Sequence, residues 1–181
     1  EISACLVGSE MCIRDSPNAF LLESVEGGAA RGRFSAIGME PDLLWRCRNG
    51  VAEINRHALA APHAFVPEAA SPIDSLRALV AECRMPMPAG LPSIAAGLFG
   101  FLGYDMVRQM ERLPEKNPDV LGIPEAVMFR PTLVAVFDHV RDTLTLVTAV
   151  WPEPGLDPKS AWDAAQTRLD EAEAALDLSL I

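Results

Sequence analysis

The chain has 181 residues, 15 of them basic and 25 acidic, for a formal charge of −10 at pH 7. Such a chain, with no Lys/Arg cluster, lacks the positive field that nucleic acid or an anionic bilayer requires. Its longest apolar runs also fall far short of the ~20 residues of a membrane span, so neither partner is expected. Half of the residues are hydrophobic and 22% are charged, enough apolar mass for a buried core and ordinary for one folded domain.

The opening sixteen residues, EISACLVGSEMCIRDS, stand apart. A secretory signal needs a basic start and ~7–15 unbroken apolar residues, whereas Gly8-Ser9-Glu10 interrupts the run that begins at Ala4. The segment resembles translated sequencing-adaptor read-through, and residues 1–16 are expected to be non-native. The folded domain is assigned residues 17–152. Residues 153–181 are assigned to a linker and a helix that leads on to something further.

Strand signals dominate the domain. Residues 20–25 form a short apolar run closed by Gly27-Gly28, and residues 33–38 alternate and end before Pro41. Residues 44–48 and 51–54 flank Asn49-Gly50, whose tolerance of positive φ favours a two-residue hairpin turn. Ser71 is a good N-cap for a helix that starts at Pro72 and carries the stripe Ile73, Leu76, Leu79 and Val80. A strand over 94–101 leads to a short helix over 103–108. Residues 132–137 and 143–150 form a second hairpin whose β-branched, apolar arms predict a buried central pair. A last helix spans 158–178, with Ala161, Trp162, Ala165, Leu169, Ala172 and Leu176 at helical spacing. Grouped rather than alternating strands and helices predict an α+β fold, with antiparallel, sandwich-like sheets and a few covering helices.

Few residues offer chemistry. Four cysteines without a CxxC pair and three scattered histidines suggest neither a zinc site nor a disulfide scaffold, and a reducing cytoplasm is the expected home. No Ser-His-Asp or Cys-His set is apparent. The glycines from Gly97 to Gly103 lack both the P-loop ending and the GxGxxG order, which favours close strand packing over phosphate binding. Tyr104-Asp105 with Arg108-Gln109 reads as a solvated helix face rather than a polar site. Glu23 is the most informative position. In an extended strand it shares a face with Leu21 and Val25, so its carboxylate is either paired with a surface Arg or waiting for a ligand's ammonium group.

Three motifs add a resemblance: FLLESVEGG (residues 20–28), GRFSAIG (32–38) and AAGLFGFLGYDMVRQMERLP (95–114), followed by NPDVLGIPEAVMFRP (117–131). Together, and in this order, they are similar to the N-terminal region of anthranilate synthase component I. The resemblance covers most of residues 20–151. It implies an N-terminal structural and regulatory part of an enzyme that converts chorismate and an amino donor to anthranilate and pyruvate in tryptophan synthesis. It further implies a lyase whose Mg²⁺ and chorismate bind in a separate catalytic domain, with no catalytic residue, metal or cofactor in this chain, which alone is expected to be inactive. L-tryptophan is the implied feedback ligand, with Glu23, Ser24 and Arg33 contributing half of its site. A glutamine amidotransferase (component II) and the chain's own catalytic domain are the implied protein partners. Two alternatives stay open: the related aminodeoxychorismate synthase component I of folate synthesis, and a stand-alone amino-acid-binding module.

Overall fold

A computed structural model describes residues 18–23, 32–114, 118–152 and 155–176. Its strands are β1 (Phe20–Leu22), β2 (Phe34–Arg48), β3 (Val51–Asn55), β4 (Val66–Pro67), β5 (Phe99–Leu102), β6 (Ala126–Asp138) and β7 (Thr143–Thr148). The helices α1 (Pro72–Glu82) and α2 (Pro158–Leu176) and the 3₁₀ turns Ser93–Ala95 and Tyr104–Gln109 complete the elements. The strands form an antiparallel sheet of seven, so the expected α+β layout holds.

The chain divides into two compact units, and β2 and β6 are long enough to serve both. In the first, the opening half of β2 pairs with β1 (Phe20 opposite Gly38), and the closing half of β6 pairs with β7 (Asp138 opposite Thr143). Alternation along these strands sends Ala36, Val134 and Val136 to one face, against Phe20, Leu91 and Ile94. Ile37, Ala135 and Phe137 go to the other, against Leu21, Leu144 and Leu146. In the second unit the strand order is β4-β3-β2-β6-β5, and Trp45 is fully buried there, its indole N–H donating to Ser75 Oγ at 2.7 Å.

Local rules account for the turns. Asn49 and Gly50 take φ of 53° and 71°, the doubly positive pair of a type I′ hairpin, and close β2 on β3 with Arg48 opposite Val51. Ser71 Oγ accepts from the Asp74 N–H at 3.2 Å, with Pro72 in the first turn of α1.

Several expectations need correction. Pro41 does not end a strand: β2 runs through it as one 15-residue element. Glu40 takes φ 53° for a single residue and its carbonyl accepts from Thr132 Oγ1 at 2.7 Å, so the chain passes the proline without leaving the sheet. The strand expected over 94–101 shrinks to Phe99–Leu102, because Ser93–Ala95 coils into a 3₁₀ turn and Gly97 takes φ 135°. On α1 the buried residues are Pro72, Ser75 and Leu79, whereas Val80 is exposed and Ile73 and Leu76 are half-buried, so the apolar stripe lies on the flank of the helix. The second hairpin forms, but only β6 is buried along its length, and β7 is half-buried. On α2, Ala165 is buried while Trp162 and Leu176 are exposed. Residues 1–16 and 177–178 lie outside the described residues.

Candidate functional site

The two ends of the central strands of the first unit meet at a cleft. Arg33, at the entry to β2, is fixed through its carbonyl, which accepts from the His139 N–H at 2.9 Å. Its guanidinium makes a two-pronged ion pair with Asp138 at the end of β6: Nε to Oδ1 at 3.0 Å and Nη2 to Oδ2 at 2.6 Å. Asp138 also receives the backbone N–H groups of Val140 (3.1 Å) and Arg141 (3.2 Å) on Oδ1, which holds the turn between β6 and β7. The Arg141 side chain stays exposed, with Nε 3.9 Å from Asp138 Oδ2.

These groups edge a cleft of about 290 Å³ whose apolar wall is Phe34, Leu91 and Val136, with Thr143 and Thr145 adding hydroxyls. Among the described lining residues, two guanidinium groups against one carboxylate leave a local excess of one positive charge on a strongly acidic chain. That balance suits a small organic anion or the carboxylate end of a zwitterion. A guanidinium has five N–H donors, and Asp138 takes two of those on Arg33, so Arg33 can serve a ligand without giving up its partner. Ser35, fully buried behind it, has its Oγ 2.7 Å from His139 Nε2.

The Arg33 guanidinium holds the Asp138 carboxyl well below the usual carboxylate range; desolvation works against this, and the Arg141 and Val140 N–H groups reinforce it. Asp138 in turn raises the pKa of Arg33. A carboxyl with a depressed folded-state pKa stabilises the fold fully above its unfolded value of ~3.9 and progressively less as pH falls below it. Thermal denaturation followed by circular dichroism should therefore show the midpoint dropping more steeply from pH 5 to pH 2 in the unaltered chain than in Asp138→Asn. Parallel slopes would contradict the pair's part in stability.

Of the residues predicted for a ligand site, Arg33 lines this cleft. Glu23 does not. It follows β1 directly and is exposed, because the strand stops at Leu22 instead of running on to residue 25. The expected strand face shared with Leu21 and Val25 therefore does not enclose it: Glu23 stands in water. Ser24 and Val25 fall outside the described residues. Sequence reasoning missed Asp138 and Arg141. A partner 105 positions from Arg33 leaves no local signal, and His139-Val140-Arg141-Asp142 reads only as a turn.

Other candidates resolve as structural. A Cβ on Gly100 would collide with the Val127 carbonyl, and one on Gly103 would come within 2.8 Å of the Glu125 carbonyl oxygen, so this glycine run serves close strand packing. Cys47 is buried, and that burial first of all pushes its thiol up to about 11, the opposite of an activated nucleophile. Arg108 Nε meets Asp105 Oδ1 at 2.9 Å on an exposed surface, an ordinary i,i+3 pair. Among the described residues no three His, Cys, Asp or Glu side chains gather as a metal would require, and no helix is long and apolar enough to cross a membrane.

No family model matches the chain. It is 50% identical over 160 residues to the anthranilate synthase component 1 of Cereibacter sphaeroides, a match covering 88% of this chain and 32% of that protein. It is 39% identical over 163 residues to the protein of the same name from Mycolicibacterium smegmatis (88% and 30% covered), and 37% identical over 163 residues to that from Thermus thermophilus (89% and 31% covered). The chain thus spans about a third of the length of the curated relatives it matches. A crystal structure of anthranilate synthase component I from Streptococcus pneumoniae superposes with a TM-score of 0.60 at 21% identity, covering 85% of this chain and 31% of that one, a likeness of fold.

Proposed function

Over the region shared with these relatives the chain belongs to the anthranilate synthase component I family, and we propose on that premise that it forms the N-terminal structural and regulatory part of such an enzyme. The observation that carries the reading is 50% identity sustained over 160 residues. The shared name of the three relatives favours the anthranilate reaction over the aminodeoxychorismate one. In this reading chorismate, Mg²⁺ and the carbon–oxygen bond cleavage belong to the polypeptide that the relatives carry beyond the shared third. No chemical step is assigned to this chain in that reading. A glutamine amidotransferase subunit supplies ammonia to the whole assembly, in the cytoplasm.

The regulatory role falls to Glu23, Ser24 and Arg33 as half of a tryptophan feedback site. Arg33 suits a carboxylate, since a guanidinium has five N–H donors and, among the described residues, Asp138 takes two of them. Glu23 suits an ammonium group reached from solvent, where its contribution is smaller than it would be in a buried pocket. Tryptophan inhibits in this scheme only by preferring one of two arrangements of the regulatory and catalytic parts.

The experiment is an exchange. Residues 20–151 replace their counterpart in the Cereibacter sphaeroides protein, and anthranilate fluorescence is followed with chorismate, ammonia and Mg²⁺. Turnover within about tenfold of the parent is expected, while the chain alone gives none. A folded chimera without activity, or activity in the chain alone, contradicts the assignment.

A further inference from the structure

One carboxylate sets two guanidinium groups beside the cleft of the first unit. Asp138 holds Arg33 through both oxygens, and the Cζ of that arginine lies 4.8 Å from the centre of the Phe34 ring, so its guanidinium is fixed on two sides. Asp138 Oδ1 also takes the backbone N–H of Arg141 at 3.2 Å and so anchors the main chain of the second arginine. The Arg141 side chain is engaged far less. It is 68% exposed, and its Nε stands 3.9 Å from Asp138 Oδ2, an oxygen that Arg33 Nη2 already holds at 2.6 Å.

Asp138, the carboxylate among the described lining residues, is committed. Its Oδ1 accepts from Arg33 Nε and from the Val140 and Arg141 N–H groups, and its Oδ2 from Arg33 Nη2. An incoming ammonium group would have to compete with all of these donors, whereas an incoming carboxylate meets one loosely held guanidinium and the outer edge of another. The register places Thr143 opposite Asp138 and Thr145 opposite Val136, so both hydroxyls share the strand face that bears the carboxylate and part of the apolar wall.

We propose that Arg141 is a ligand-binding residue of this cleft, joining Arg33 across the carboxylate of a monocarboxylic acid with an apolar body, and that the cleft reads the acid end of its ligand and not an amine. Both guanidinium groups face the same Oδ2, close enough for one carboxylate to bridge them, and Phe34, Leu91 and Val136 receive the apolar part. The inference rests on the regulatory reading above, in which Arg33 meets the carboxylate of L-tryptophan, and adds to it a second arginine and a rule of selection. An ammonium group on the ligand gains only what the exposed Glu23 gives through water.

The test is calorimetric titration of the full chain with L-tryptophan, with indole-3-propionate (the acid without the amine) and with tryptamine (the amine without the acid). Indole-3-propionate should bind within about fivefold of L-tryptophan, and tryptamine at least tenfold more weakly than either. Arg141→Gln should weaken both acids at least tenfold, as the loss of a charged hydrogen bond requires, and leave tryptamine as it was. Arg141→Lys keeps the charge without the fork and should fall between. Both variants should keep the unfolding midpoint, because the Arg141 side chain already faces water and its backbone, not its guanidinium, makes the short bond to Asp138. Three results each overturn the proposal: tryptamine binding as tightly as the acids, acids that bind Arg141→Gln as well as the unaltered chain, or no saturable binding of either acid at millimolar concentration. The chimera separates this inference from the enzyme assignment. Tryptophan inhibition that Arg141→Gln leaves unchanged overturns the role of Arg141 and leaves the assignment standing. Arg141-dependent binding of both acids to the chain, beside a folded but inactive chimera, upholds the cleft and counts against the assignment.

Discussion

Replacing Asp42 by Ala is expected to cost the fold about 3–5 kcal/mol, because it breaks a buried ion pair by removing the two-pronged carboxylate partner of a buried cation. Arg130 is 5% exposed and donates through Nε and Nη2 to the two carboxylate oxygens of Asp42, each at 2.8 Å. Glu82 Oε1 lies 3.9 Å from Nη1 and is itself held by Arg56 at 2.7 and 2.8 Å, and Cys83 Sγ is 3.9 Å away, so neither matches the Asp42 contacts. Domains of this kind are stable by only ~5–15 kcal/mol, so the loss should be visible as a large fall in the urea midpoint. Arg130→Met should cost less, since the Asp42 side chain is 23% exposed and can turn to water, and Met fills the space along the arginine stem. A drop of less than about 1 kcal/mol for Asp42→Ala would show that water or another group takes the place of the carboxylate.

The second large effect belongs to Trp45. Its side chain is fully buried in the second unit and its indole N–H anchors a chain of hydrogen bonds, to Ser75 Oγ at 2.7 Å and from that hydroxyl to Glu68. Trp45→Ala removes the largest fully buried side chain and should cost about 3–5 kcal/mol. Trp45→Phe keeps most of the volume and leaves the Ser75–Glu68 bond in place, so about 1–2 kcal/mol is expected. Calorimetric unfolding of the two variants separates packing from hydrogen bonding. Equal costs for Ala and Phe would assign the loss to the indole N–H instead.

The fold was readable where a rule is local. Asn49-Gly50 and Ser71-Pro72 act through the conformations of one or two residues, and both turned out as their chemistry dictates. Where long-range pairing decides, reading residue by residue fell short. Pro41 looks like a stop, yet β2 continues because Thr132, 92 positions further on, secures the Glu40 carbonyl. The stripe on α1 was misplaced because helical periodicity identifies an apolar flank without saying which edge of it faces the sheet; Ser75, a polar residue, is buried for its bond with Trp45.

The candidate site was legible only in part. Arg33 came from a motif and does border the cleft, while its partner Asp138 lies on a strand more than a hundred residues away. Placing Glu23 on one face with Leu21 and Val25 assumes a strand that includes residue 23, and the end of β1 at Leu22 removes that premise. An alternating pattern of apolar residues reports which face a side chain would take, but not how far the strand persists.

The measurement that bears most directly on the regulatory role is the tryptophan inhibition curve of the chimera, taken with Arg33→Lys, Glu23→Ala and, as a control for the ion pair, Asp138→Asn. Arg33→Lys keeps the charge but loses the forked donors, so the concentration for half inhibition should rise at least tenfold with turnover preserved, and Glu23→Ala should raise it by a smaller factor. Inhibition that stays unchanged in both variants, in an active chimera, would contradict the account.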